Sequence, residues 1–122
     1  MKKLKANLGR IIFALIFFVF GLFHFINASV MAEMLIPNWL PGGVFWVILS
    51  GAGLIAASVS IITKIMVKLS TLLLASMLLL FVVLLHIPGM MADPENMNYM
   101  TNLLKDFGLM GAALYMSGQF SK

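Results

Sequence analysis

Four long apolar segments make up most of the 122 residues, and this pattern constrains the fold more than any other feature of the chain. The segments cover about residues 9–28, 43–62, 69–88 and 101–119. A helix needs about 20 mostly apolar residues to cross a hydrocarbon core roughly 30 Å thick. The short connections place consecutive helices side by side in antiparallel order. The sequence therefore predicts a single all-α domain over residues 1–122, an integral membrane four-helix bundle.

The composition excludes several classes of protein. Hydrophobic residues make up 62% of the chain and charged residues only 10%, which is incompatible with a solvated globular surface. The absence of cysteine excludes disulfides, thiol relays and cysteine-bound metal centres. The net charge of +4 is not arranged as a basic patch with interleaved aromatic residues, so nucleic acid is not an expected partner. The lipid bilayer is the first partner that the composition predicts.

The distribution of cations predicts the orientation in the membrane. Lysine and arginine are retained on the cytoplasmic side of short connections. They lie before the first segment, in the second connection and at the end of the chain: Lys2, Lys3, Lys5, Arg10, Lys64, Lys68 and Lys122. The other two connections, residues 29–42 and 89–100, contain no lysine or arginine, and their charged residues are Glu33, Asp93 and Glu95. These connections are therefore expected on the outside. Both termini are therefore expected in the cytoplasm, with the first segment retained as a span although it imitates a secretory signal.

Small and polar residues at helical spacing predict which face of each segment is packed. The predicted stripes are Arg10, Ala14, Phe17, Gly21 and His24 in the first segment; Gly53 and Ala57 in the second; Leu72, Ser76, Leu79, Val83 and His86 in the third; and Thr101, Lys105, Gly108, Ala112, Tyr115 and Gln119 in the fourth. This assignment turns Lys105 inward and places Asp106 about 100° further round its helix, with Asn102 in the direction of Asp106.

Four ionisable residues inside the segments form the candidate site. His24, His86, Lys105 and Asp106 all lie near the same predicted membrane face, about one helical turn or less from a segment end. Ionisable groups within spans are costly and commonly mark ligand or proton pathways. We expect the four side chains to meet in one cavity near the outer face.

Each of these residues also has a structural interpretation. Lys105 at a helix end can extend to the lipid headgroups, while Asp106 fits a polar first turn. His86 precedes Pro88 at a segment end, where a solvated imidazole is common. His24 can instead form a hydrogen bond to a neighbouring helix. The two tryptophans, Trp39 and Trp46, are interpreted as anchors at the membrane interface.

Several short motifs occur in a characteristic order relative to the four segments. They are Gly21-Leu22-Phe23-His24-Phe25, Ile36-Pro37, Ser50-Gly51-Ala52-Gly53, His86, Asn102-Leu103-Leu104-Lys105-Asp106 and Leu109-Met110-Gly111-Ala112-Ala113-Leu114. Together they cover nearly the whole chain, and in this order they resemble the DoxX family of small bacterial and archaeal membrane proteins.

The resemblance implies a multi-pass protein of the bacterial inner membrane that serves as an oxidoreductase component. In some relatives this role is linked to quinone, and in others to resistance against oxidative or thiol stress. Many relatives carry an acidic residue near the glycine of the second segment, where this chain has Ala52-Gly53-Leu54. A proton-relay role taken over from those relatives is therefore not supported.

The sequence leaves more than one function open. In the first, the cavity binds a quinone or similar amphipathic molecule: His24 and His86 bond its carbonyl oxygens, Lys105 stabilises developing negative charge, and Asp106 balances that charge or exchanges protons. In the second, the protein is a non-catalytic accessory subunit of a larger membrane complex or a homo-oligomer. Haem held by His24 and His86 is a third reading. An exporter is disfavoured because no acidic residue lies in mid-span, and no metal-ligand set is predicted.

Overall fold

The computed structural model describes residues 1–122, and all of its regular secondary structure is helical. The elements in chain order are α1 (Lys2–Ile26), α2 (Ala28–Leu35), α3 (Gly43–Thr63), α4 (Val67–Phe81), a π-helical turn (Val82–His86), α5 (Ile87–Ala92) and α6 (Met97–Gly118). The all-α prediction is confirmed. The short helix α2 occupies the first half of residues 29–42, which were expected to form an external connection, and begins one residue before them.

Three helices are long and apolar enough to cross a membrane, judged by length and composition. They are α1 with 25 residues, α3 with 21, and the continuous helix Val67–Ala92 with 26. Many of their leucine, isoleucine and phenylalanine side chains are exposed, which suits contact with lipid. Helix α6 has 22 residues but is not among the three. Its first half carries Asn98, Asn102, Lys105 and Asp106, which lower its hydropathy, so a fourth span stays a prediction.

The four long helices pack in the order α1 against α3, α3 against α4, and α4 against α6. Their core consists of small and aliphatic residues with one phenylalanine: Ala14, Phe17, Leu54, Ala57, Ile61, Val67, Leu74, Ala75, Leu78 and Ala113. The alanines let neighbouring helix backbones approach closely, which is the usual packing mode of helices in lipid.

The packed face of α1 is the predicted one, since Ala14, Phe17 and Gly21 are its buried residues. The closest approach to α3 occurs at Gly51. A Cβ atom there would lie 2.7 Å from the Cβ of His24 and 3.1 Å from the carbonyl oxygen of Gly21. Gly53, the residue chosen from the small-residue spacing, is exposed. Ala57, the other residue chosen from this spacing, is buried. The choice of Gly53 is wrong because α1 crosses α3 on the Gly51 side.

The predicted packed face of the third segment is wrong apart from His86. Leu72, Ser76, Leu79 and Val83 are exposed, whereas the buried residues of this helix are Val67, Thr71, Leu74, Ala75, Leu78, Val82 and His86. A regular α-helix that buries residues 71 to 82 would bring position 85 to the centre of that face. The π turn adds about one residue to the turn, so that residue 86 reaches the face instead.

The predicted face of α6 is wrong by about one residue, or 100° of helix rotation. Asp106, Ala113 and Ser117 are buried, whereas Lys105, Gly108 and Tyr115 are exposed. Asn102 shares the direction of Asp106, as expected. In this orientation Ala113 joins the apolar core, Ser117 bonds the carbonyl oxygen of Lys68 on α4, and the carboxylate of Asp106 finds a partner on the π turn.

Polar contacts hold together the end of the molecule that lies opposite His24 and His86. The Arg10 guanidinium donates to the carbonyl oxygens of Ile61 at 2.6 Å and Ile62 at 3.0 Å, which are free acceptors at the end of α3. Ser117 Oγ donates to the carbonyl oxygen of Lys68 at 3.1 Å. These bonds fix α1 to α3 and α6 to α4 far from the ionisable cluster.

Candidate functional site

His24, His86, Lys105 and Asp106 all line one cavity of about 420 Å³. The cavity lies among the last turns of α1, helix α2, the first turns of α3, the end of α4 with the π turn, and the first turns of α6. Fourteen of its 21 lining residues are hydrophobic. Sites for small molecules are commonly mostly apolar pockets of this size with a few convergent polar groups.

The π turn places His86 in this cavity. The amide of Ile87 bonds the carbonyl oxygen of Val82, five residues earlier. Pro88 follows directly and has no amide hydrogen, and its ring would collide with the carbonyl of Leu84 in a regular α-helix. The wider turn avoids that collision. As a result His86 is buried, although it lies near a helix end where the sequence also allowed a solvated side chain.

His86 and Asp106 form a buried pair at the back of the cavity. His86 Nε2 lies 2.6 Å from Asp106 Oδ2, and each side chain is 6% exposed. The other carboxylate oxygen, Oδ1, lies 3.9 Å from Lys105 Nζ. Asp106 therefore lies between an imidazole and an ammonium group. His86 Nδ1 is buried and has no hydrogen-bond partner, so it is the free position of that ring.

Lys105 reaches the cavity from its rim. Its side chain is 43% exposed, and its ammonium lies 4.9 Å from the centroid of the Phe20 ring. A cation over an aromatic face is attracted by the ring quadrupole. Phe20 on α1 and Asp106 on α6 thus hold the ammonium at the opening, with its remaining N–H groups available as donors. The sequence predicted that this side chain points inward, whereas in the structure it lies at the rim of the cavity.

His24 lies on the α1 wall of the cavity with one ring nitrogen already engaged. His24 Nδ1 lies 2.6 Å from the carbonyl oxygen of Phe20. Because a carbonyl only accepts, Nδ1 carries the hydrogen, and Nε2 of the neutral ring is then an acceptor. The close approach of Gly51 to the His24 Cβ fixes where the side chain leaves the helix.

Several wall residues were not singled out from the sequence. Phe20, Phe23 and Phe81 line the cavity but look like ordinary apolar span residues, so no sequence signal separates them from lipid-facing phenylalanines. Trp46, interpreted as an interface anchor, also lines the cavity, and its indole N–H donates to the carbonyl oxygen of Pro41 at 2.7 Å. Asn27 and Asn102 add two polar side chains to the wall.

The arrangement combines one donor cation, one acceptor nitrogen and a buried carboxylate in a largely apolar space. Lys105 can donate to an oxygen that carries partial or full negative charge, and His24 Nε2 can accept from a hydroxyl group. In a space of low dielectric these polar contacts are stronger than in water. The site therefore suits a small molecule that carries both kinds of oxygen.

The hydrogen bonds leave one ring nitrogen free on each histidine. His24 Nδ1 is bonded to the carbonyl oxygen of Phe20 and His86 Nε2 to Asp106, so His24 Nε2 and His86 Nδ1 remain. A histidine that binds a metal commonly engages its other ring nitrogen in this way. Haem held by the two histidines therefore stays a prediction.

Comparison with protein-family models, curated proteins and solved structures gave no match. The assignment of function therefore depends on the residues and geometry of the chain itself.

Proposed function

We propose that the chain is a DoxX-like protein of the bacterial inner membrane that binds a quinone or a similar small amphipathic redox molecule, as the quinone-linked component of an oxidoreductase. The observation that carries this proposal is the convergence of His24, His86, Lys105 and Asp106 on one mostly apolar cavity of about 420 Å³. The proposal includes an orientation in the membrane: α6 is the fourth span, both termini lie in the cytoplasm, and the cavity lies near the outer face.

The residues present fit a quinone headgroup. The apolar wall suits its ring, and a bound quinone would supply reversible uptake of two electrons and two protons. The ammonium of Lys105 donates to a carbonyl oxygen. Nε2 of His24 accepts from a hydroxyl group, so that the site offers a partner to each redox form.

Asp106 and His86 support this site from behind. One oxygen of Asp106 lies toward Lys105 and the other toward His86, so the carboxylate orients the ammonium and balances its charge. His86 in turn fixes the carboxylate. This arrangement changes the role expected for His86, because its Nε2 bonds the carboxylate rather than a ligand oxygen.

The proposal is tested by quenching of tryptophan fluorescence. Trp39 and Trp46 are the two tryptophans of the chain, and Trp39→Phe leaves the cavity-lining Trp46 as the single reporter. A benzoquinone without a chain is titrated into the detergent-purified protein. Saturable quenching is expected, and quenching that rises linearly without saturation would contradict the proposal.

A pair of lysine variants makes the test specific. Lys105→Met in the Trp39→Phe background removes a hydrogen bond to a charged donor, so we expect affinity to fall about tenfold or more. Lys68→Met, at the opposite end of the molecule, removes the same charge and should leave affinity unchanged. Equal affinity of the two variants would argue against a ligand at the rim.

The accessory-subunit function is favoured by one feature of the same site. The buried pair of His86 and Asp106 fixes the register of α6 against the π turn, which is a structural role that buried polar groups are known to fill. An accessory subunit would co-purify with a partner at fixed stoichiometry and carry lipid only. Absorption spectra of oxidised and reduced protein, with mass analysis of extracted lipid, separate the two functions, since bound quinone near one per chain supports the first.

A further inference from the structure

A second, apolar groove of about 320 Å³ lies beside the polar cavity. Ten of its 12 lining residues are hydrophobic, and none is charged. The lining residues are Ile36, Pro37, Trp39, Leu40, Trp46, Leu49, Ser50, Met77, Leu80, Phe81, Leu84 and Leu85. They come from α3, from α4 and the π turn, and from the connection that follows α2.

The groove and the polar cavity are neighbours across a single layer of side chains. Five residues border both spaces: Ile36, Trp46, Ser50, Phe81 and Leu85. Ser50 has the smallest side chain of the five. A molecule that passed beside Ser50 would have its polar end among the ionisable residues and its other end in a groove that no charged residue lines.

The groove opens on an exposed apolar surface that suits contact with lipid. Leu49, Leu80 and Leu84 line it and are exposed, and they lie on helices that are long and apolar enough to cross a membrane. Trp39, from the connection, is exposed at the end of the groove near Pro37. A ligand dissolved in the lipid thus reaches the groove from the side, without passing through water.

We infer that the groove holds the apolar chain of the ligand whose headgroup lies in the polar cavity, an inference that rests on the proposed function. The substrate class is then a membrane-soluble quinone with a hydrocarbon chain, rather than a soluble aromatic compound. The groove is assigned to the hydrocarbon chain of this ligand because five residues line both spaces, which places them side by side. An independent lipid in the groove is an outcome that the test distinguishes. Burial of each methylene group adds to affinity, so the groove makes binding depend on the chain.

The test is photolabelling of the unaltered protein in detergent. The probe is a benzoquinone with a ten-carbon chain that ends in a diazirine, and labelled residues are located by mass spectrometry. We expect the label on Leu49, Leu80 or Leu84, and we expect the same benzoquinone without a chain to abolish it. If the label lies on other residues and the chainless quinone still abolishes it, the inference about the groove is wrong, but the proposed function stands. Label that the chainless quinone never reduces would overturn both, since the groove would then bind any lipid chain.

Two matched variants give an independent measurement. Leu80 and Leu73 lie two turns apart on α4 and are 55% and 61% exposed, but only Leu80 lines the groove. Leu80→Trp should weaken binding of the ten-carbon quinone about tenfold, through lost burial of its chain, and leave the chainless quinone unaffected. Leu73→Trp should change neither affinity. Equal effects of the two variants on the ten-carbon quinone would contradict the inference.

Discussion

His86 Nε2 lies 2.6 Å from Asp106 Oδ2, which joins the π turn to α6 across 20 positions of sequence. Both side chains are almost fully removed from solvent. A carboxylate in such surroundings is stable only with a hydrogen-bonded partner, so the two residues depend on each other.

Removal of either partner should therefore be costly. His86→Leu and Asp106→Leu should each lower the free energy of unfolding by about 3 kcal/mol, because each leaves a buried polar side chain without its hydrogen-bond partner. The double variant should lose clearly less than the sum of the two. The measurement is helix loss on titration of mixed micelles with sodium dodecyl sulfate, followed by circular dichroism. Glu95→Leu, at an exposed acidic residue, is the control, and additive losses would show that the pair is not coupled.

The contact between α1 and α3 should not tolerate a methyl group at Gly51. Its Cβ would lie 2.7 Å from the Cβ of His24 and 3.1 Å from the carbonyl oxygen of Gly21, and neither atom can move without a shift of the α1 backbone. Gly51→Ala should lower the free energy of unfolding by about 1–3 kcal/mol and weaken quinone binding by displacing His24. Gly53→Ala on the same helix would meet only Met77 Sδ at 3.6 Å and should be neutral. Equal stability of the two variants would show that the helices separate freely.

The π turn should depend on Pro88. Pro88→Ala restores an amide hydrogen and removes the ring that would collide with the carbonyl of Leu84 in a regular α-helix, so the turn should relax to that form. His86 would then rotate away from Asp106. The expected readout is a changed imidazole signal of His86 in nuclear magnetic resonance spectra, together with weaker quinone binding. Val83→Ala, at an exposed position of the same turn, should leave both unchanged; an unaltered His86 signal in Pro88→Ala would mean that another contact holds the turn open.

The fourth span can be tested directly because the chain contains no cysteine. Single cysteines at Asn38 and Glu95 should react with a membrane-impermeant maleimide in right-side-out vesicles. Cysteines at Ile65 and Ser121 should react only after the membrane is opened. If Glu95→Cys and Ser121→Cys react from the same side of the membrane, α6 does not cross it.

The local chemistry of the chain was sufficient to predict helices, the apolar surface and the level at which the ionisable residues lie. Length and hydropathy act locally, so the helix positions and the shared level of His24 and His86 follow from counting residues along each segment. The packed face of α1 could be predicted for the same reason, because Gly21 and its neighbours repeat at helical spacing.

Only the tertiary structure decided how α4 and α6 are rotated. In lipid both faces of a helix are apolar, so hydropathy does not distinguish packed from exposed residues, and the faces predicted for these helices were wrong. The π turn before Pro88 adds about one residue to the helix, which rotates His86 onto the packed face. A regular helical spacing does not predict this rotation. The pairing of His86 with Asp106 then turns the carboxylate inward and leaves Lys105 at the rim. These are contacts between distant parts of the chain, and their energies exist only once the helices have packed.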